Sequence, residues 1–158
     1  MLQFILGFGV GLIISISVSL VIWNQSNSIS DVPVKKPLKK IKKHSEMKMV
    51  LIVPKNLNAN KHEVITKGIY ATIGAFKESL IINPNLVKHW QRWGQPKITL
   101  KVNDEAELLS IKEVADNENL VNFMVKNVNS SKNDVQILAI GPDCSDDINK
   151  VTGHLKLY

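Results

Sequence analysis

One cysteine in the chain excludes a disulfide framework. His44, His62, His89 and His154 are scattered with no two at ligand spacing, so neither zinc nor any other metal site is expected. No G-x-G-x-x-G, no P-loop and no G-x-S-x-G elbow occurs, which removes dinucleotide, nucleotide triphosphatase and α/β-hydrolase readings. No cofactor is expected. Glycine and proline are too few, at 8 and 6, for a fibrous or low-complexity chain. Charge is absent from residues 1–23, and acidic residues are nearly absent from 24–46.

These absences divide the 158 residues into three pieces. Residues 1–23 form an apolar run long enough for one bilayer-spanning helix, which needs about 20 such residues. The run is longer than a cleavable signal peptide's core and no basic residue precedes it, so a retained transmembrane anchor is expected. Residues 24–46 carry Lys35, Lys36, Lys39, Lys40, Lys42 and Lys43 against Asp31 and Glu46, with Pro33 and Pro37 and no apolar periodicity. They read as a Lys-rich flexible linker. By the positive-inside rule this flank stays cytosolic, and the following domain faces the cytosol. A modest anchor with a basic flank suits the mitochondrial outer membrane, the endoplasmic reticulum being the alternative. Of the formal net charge of +6, +4 sits in this linker, leaving the third piece, residues 47–158, near neutral.

That third piece patterns as an α/β domain. Met49–Val53 is a continuous apolar run of strand length, which suits a strand buried on both faces. From Lys61 to Ile82, the residues Ile65, Ile69, Ile73, Phe76 and Leu80 recur at three- and four-residue steps and predict an amphipathic helix packed on that stripe. Asn83-Pro84 stops it, and a shorter helix with Leu86, Trp90 and Trp93 ends at Gly94. Ile98–Val102 predicts a second strand and Asn103 or Asp104 a helix cap ahead of Leu108, Leu109, Ile111 and Val114. Leu120–Val125 and Val135–Ile140 predict two more strands, the latter ended by Gly141-Pro142. Ser145 is placed to cap a last helix that Gly153 terminates. The expected architecture is a mixed four-stranded sheet flanked by helices on both faces.

Chemistry concentrates at the head of the long helix. Lys61 and His62 lie where helix amides and dipole receive an anion, although cations there oppose the dipole. Glu63, Lys67 and Tyr70 fall at i, i+4 and i+7 and share one face, with Glu63 ahead of Lys67 in the favourable order for an ion pair.

At these residues the chain resembles the type II peptidyl-tRNA hydrolases, from Lys48 to the C-terminus. The resemblance is carried by Lys48–Val53, by Trp90 with Gly94-Gln95-Pro96-Lys97, by Ile140-Gly141-Pro142 and by the long ending Asp147–Tyr158. It implies a mixed sheet flanked by helices, commonly a homodimer, that hydrolyses the ester between peptide and tRNA. The family motif sets a Lys, a Gln four residues on and a His seven residues on along the first helix, where this chain has Glu63, Lys67 and Tyr70. The basic residue two before that Lys is kept as Lys61. A second motif, Gln-Asp-Ala-Gly followed by Thr, aligns with Lys126-Asn127-Val128-Asn129 and Ser131. Ester hydrolysis needs a base for water and a donor for the oxyanion. An amide at Asn127 cannot accept a proton as base. The resemblance therefore implies tRNA or peptidyl-tRNA as partner and a weakened hydrolase, with Lys61, Lys67 and Ser131 as substrate contacts and His62 as a replacement base. The alternative is a catalytically inactive, membrane-anchored tRNA-binding protein, or an adaptor for a protein partner.

Overall fold

The run Met47–Pro54 forms strand β1, and its alternate side chains are buried on both faces, as its unbroken apolar sequence requires. The structure, a computed structural model, describes residues 45–56, 59–126 and 135–158. After β1 come α1 (Lys61–Ile82), α2 (Pro84–Arg92), β2 (Lys97–Val102), α3 (Glu105–Asn117), β3 (Asn122–Lys126), β4 (Val135–Cys144), α4 (Ser145–Thr152) and β5 (Lys156–Leu157). The expected membrane span over 1–23, residues 24–44 of the expected linker, Asn127 and Ser131 lie outside the described residues. Among the described residues no helix is long and apolar enough to cross a membrane.

The sheet has the order β3-β4-β1-β2-β5. Only β1 and β2 are parallel, and the other pairs are antiparallel. It is thus mixed, as expected, but five-stranded rather than four-stranded. The added strand is the C-terminal Lys156–Leu157, which pairs with Lys101 and Leu100, while the Tyr158 N–H donates to Thr99 O at 3.0 Å. Two residues cannot show a period; the strand exists only because β2 offers an open edge. A second correction concerns Gly141-Pro142, which does not end β4. The strand runs on to Cys144 with Gly141 at φ +99°, a conformation other residues rarely adopt. Ser145 is the first residue of α4 rather than its cap, and no side chain caps that helix.

Two cores lie on opposite faces of the sheet. On one, Val50, Ile52, Leu100 and Val102 pack with Leu108, Ile111 and Ala115 of α3 and Ile148 and Val151 of α4. On the other, Met47, Met49, Val53, Ile137 and Ala139 pack with Ala71 and Ala75 of α1 and Leu86 and Trp90 of α2. Helices therefore cover both faces, as predicted. Leu109 and Val114, included in the predicted α3 stripe, are exposed instead.

The packing of α1 departs from the sequence pattern. Its buried residues are Ala71, Ala75 and Ser79, whereas Ile65, Ile69 and Ile73 stand 63%, 55% and 44% exposed. Small side chains win this face because they bring the helix close to a sheet already filled by Met49 and Ile137, leaving no room for a branched stripe. Gly74 marks the closest approach: a Cβ there would lie 2.3 Å from Phe123 Cδ1 and 2.4 Å from its Cγ. Gly74→Ala is therefore expected to destabilise the domain by about 1–3 kcal/mol through overpacking, despite a helix-propensity gain of about 1 kcal/mol. Urea denaturation checks this, and a variant as stable as wild type would show that Phe123 moves aside freely.

Candidate functional site

The head of α1 is built by a capping box. Asn60 Oδ1 accepts from the Glu63 N–H, and Glu63 Oε2 accepts from the Asn60 N–H, both at 2.9 Å. This satisfies two otherwise unpaired donors of the first turn and sets an acidic group against the positive end of the helix dipole. The Glu63 carboxylate is thus engaged with backbone, and the Glu63–Lys67 ion pair suggested by their spacing does not form.

The other predicted residues follow over the next two turns. Lys61 and His62 are exposed in the first turn, Lys67 is half-buried, and Tyr70 is 61% exposed. Glu63, Lys67 and Tyr70 share the helix face that also carries Gly74, against Phe123 of β3. Topology adds a further juxtaposition. β4 is antiparallel to β1 and β3 is antiparallel to β4, so β3 ends at Lys126 on the same sheet edge where β1 ends and α1 begins. The end of β3 at Lys126 and the head of α1 therefore share one edge although they are some sixty residues apart.

On the opposite flank of α1 the sheet is uncovered. The helix lies over β4, β3 and β1 and leaves the outer part of this face, β2 and β5, open. An apolar groove of about 540 Å³ results, floored by Leu51, Val53 and Ile137 and walled by Ile65, Ile69 and Tyr158. None of Glu63, Lys67 and Tyr70 lines it, so the polar face and the apolar groove are separate sides of one helix. Neither this groove nor the exposed isoleucines are legible in sequence, where the stripe reads as core.

Two lysines with shifted titration lie elsewhere, at the other edge of the sheet. Burial pushes Lys48 below the usual lysine range, partly opposed by Glu46, and its Nζ donates to Asn149 Oδ1 at 2.5 Å. A hydrogen bond to Asp147 (2.7 Å) raises Lys150 on α4. Both belong to the junction of β1 with α4 and not to the head of α1. Among the described residues no group of three or more His, Cys, Asp or Glu side chains is placed to hold a metal ion.

Comparison with known proteins covers this same region. The family described as peptidyl-tRNA hydrolase PTH2 matches residues 47–158. A peptidyl-tRNA hydrolase from Methanocaldococcus jannaschii is 36% identical over 114 residues, covering 70% of this chain and 99% of that protein. A probable peptidyl-tRNA hydrolase 2 from Drosophila melanogaster is 32% identical over 117 residues, covering 72% of this chain and 63% of the fly protein. The human peptidyl-tRNA hydrolase 2, mitochondrial, is 34% identical over 116 residues, covering 72% of this chain and 65% of its own. The chain thus spans less than two thirds of the length of these two animal relatives.

Proposed function

The chain belongs to the PTH2 peptidyl-tRNA hydrolase family, and from that premise we propose that its 47–158 domain binds peptidyl-tRNA at the head of α1 and hydrolyses it only weakly. The observation that carries this reading is the Glu63 carboxylate held on the Asn60 N–H. An acceptor, fixed by a helix cap, stands where the family motif has a cation. It repels an oxyanion or a phosphate instead of stabilising either. Lys61 and Lys67 supply the remaining positive charge for the RNA end, and Lys67 is the cation best placed to meet developing negative charge. Tyr70 puts a phenol hydroxyl where the family motif has an imidazole. His62 sits one residue, about 100°, around the helix from Glu63, so a base there works from a different direction.

The same substitutions support a second reading, a non-catalytic tRNA binder tethered by residues 1–23 with the domain facing the cytosol. The mitochondrial designation of the human and bovine relatives supports a mitochondrial location, and the basic flank after residues 1–23 is what favours its outer membrane. One assay separates the two readings. Full-length protein in a mild detergent is compared with the Methanocaldococcus relative for release of peptide from peptidyl-tRNA. Turnover is expected to be slower by at least about 10²-fold, the effect of one lost acid–base group or oxyanion donor. Residual turnover abolished by Lys61→Ala or His62→Ala identifies a weakened enzyme. Salt-sensitive tRNA binding with no turnover identifies the binder, and a rate within ten-fold of the relative overturns both.

A further inference from the structure

A second cluster of positive charge lies at the carboxyl ends of β1 and β2, where open α/β sheets place their ligand sites. A pocket of about 220 Å³ is lined there by Lys55, Lys101, Lys156, His154, Asn103 and Glu107, with Leu155 at its wall. Lys101 and Lys156 stand directly opposite each other across the β2–β5 pair. Like charges in that position destabilise a sheet, and here they do so on a strand of only two residues. Lys55 leaves β1 beside them and its Nζ donates to Asn103 Oδ1 at 3.0 Å. The one carboxylate in the lining, Glu107, already accepts from the Asn103 N–H at 2.7 Å. Among the described residues, Lys101, Lys156 and His154 have no ion-pair partner. Three lysines and a histidine thus converge on a cavity several water volumes in size, at ~30 Å³ per water, with one engaged acid between them.

We propose that this pocket is a second phosphate-binding site, taking a backbone phosphate of the tRNA apart from the head of α1. The inference rests on the peptidyl-tRNA reading above. Its geometric support is continuity along one edge: Lys55 directly follows β1 and Lys61 opens α1, so their Cα atoms are at most ~20 Å apart. A strand that meets Lys61 and Lys67 covers that distance within a few nucleotides. The arrangement also accounts for the alternation Lys97-Ile98-Thr99-Leu100-Lys101 in β2. Ile98 and Leu100 serve the α3 core, while Lys97, Thr99 and Lys101 alternate to the face that α1 leaves open.

The test is binding of deacylated tRNA to the full-length protein in detergent as a function of salt, so it needs no turnover. Each lost phosphate contact lowers the slope of log K against log salt by about 0.7–0.9. The triple variant Lys55→Gln/Lys101→Gln/Lys156→Gln, which removes the whole site, is expected to lose about 0.7–0.9 units of slope and about five- to eight-fold in affinity near 0.1 M salt, and Lys101→Gln alone a smaller part of that loss. Lys101→Arg is expected to keep the wild-type slope. An unchanged slope in the folded triple variant overturns the site and leaves the peptidyl-tRNA reading standing. An equal loss in Lys112→Gln/Lys150→Gln, which removes charge on α3 and α4, shows diffuse attraction and also overturns it. Failure of the wild-type protein to bind tRNA removes the site and the reading together. Absent hydrolysis with the expected slope change removes only the catalytic part of that reading.

Discussion

The variant Glu63→Lys/Lys67→Gln/Tyr70→His/Asn127→Asp is expected to release peptide from peptidyl-tRNA about 10²–10⁴-fold faster than the wild-type protein. The figure is the contribution of a general acid–base group, or somewhat more than that of one oxyanion donor. The four gains are not expected to multiply, because groups of one catalytic unit act together. The scaffold supports the exchange: positions 63, 67 and 70 share a helix face, and that helix begins at the edge where β3 ends. A structural cost accompanies the gain. Glu63→Lys removes the carboxylate that accepts from the Asn60 N–H and sets a cation against the helix dipole, at about 1 kcal/mol, a few degrees in Tm. Single-turnover rates on peptidyl-tRNA, with a thermal melt beside them, check both halves. A folded variant no faster than wild type would show that the family constellation is not what this domain lacks. On the proposed reading, stability and activity at position 63 are opposed.

Trp90→Ala is expected to cost about 3–5 kcal/mol, the largest single loss of stability in the domain. The side chain is 1% exposed and is the bulkiest fully buried group. Its indole N–H donates to Pro96 O at 3.2 Å, the same carbonyl that accepts from the Met49 N–H at 3.0 Å. The Lys97 ammonium lies 4.7 Å from its ring centroid, and Phe76 of α1 packs against it at 6.3 Å. Truncation therefore empties the core between α1, α2 and β1 and loosens the turn that delivers β2 into register with β1. A fall in Tm of more than about 10 °C follows for a domain of this size. Trp90→Phe, which keeps most of the volume and loses the N–H, is expected to cost clearly less. Equal losses in the two variants would place the whole effect in the hydrogen bond.

Much of this molecule is legible in its sequence because local rules and tertiary packing agree there. Met49–Val53 has no polar face, so it can only be an interior strand, and it is the central one that helices cover on both sides. Asn83-Pro84 and Asp104 end or start helices through backbone groups a few residues away, and the structure keeps both. The family motifs are equally local, and the match over 47–158 agrees with them. The α1 stripe fails for a different reason. Periodicity says that one face of a helix is apolar, but which face packs depends on the volume available above the sheet. Ala71, Ala75 and Ser79 fit that volume and the isoleucines do not.

The sequence by itself determined the α/β class, the order of the first eight elements, the family and the residues at the head of α1, because each is written in neighbours along the chain. Tertiary structure alone decided the fifth strand, the apolar groove and the meeting of Lys55, Lys101, Lys156 and His154. The charge arithmetic, with only two positive charges to spare over 47–158, gives no sign of that cluster. Lys55 and Lys101 are brought together by parallel pairing of β1 with β2, and Lys101 and Lys156 by the antiparallel return of the C-terminus. Strand register, which answers to the whole hydrophobic pattern and not to any one segment, is what concentrates charge in a chain whose domain is nearly neutral.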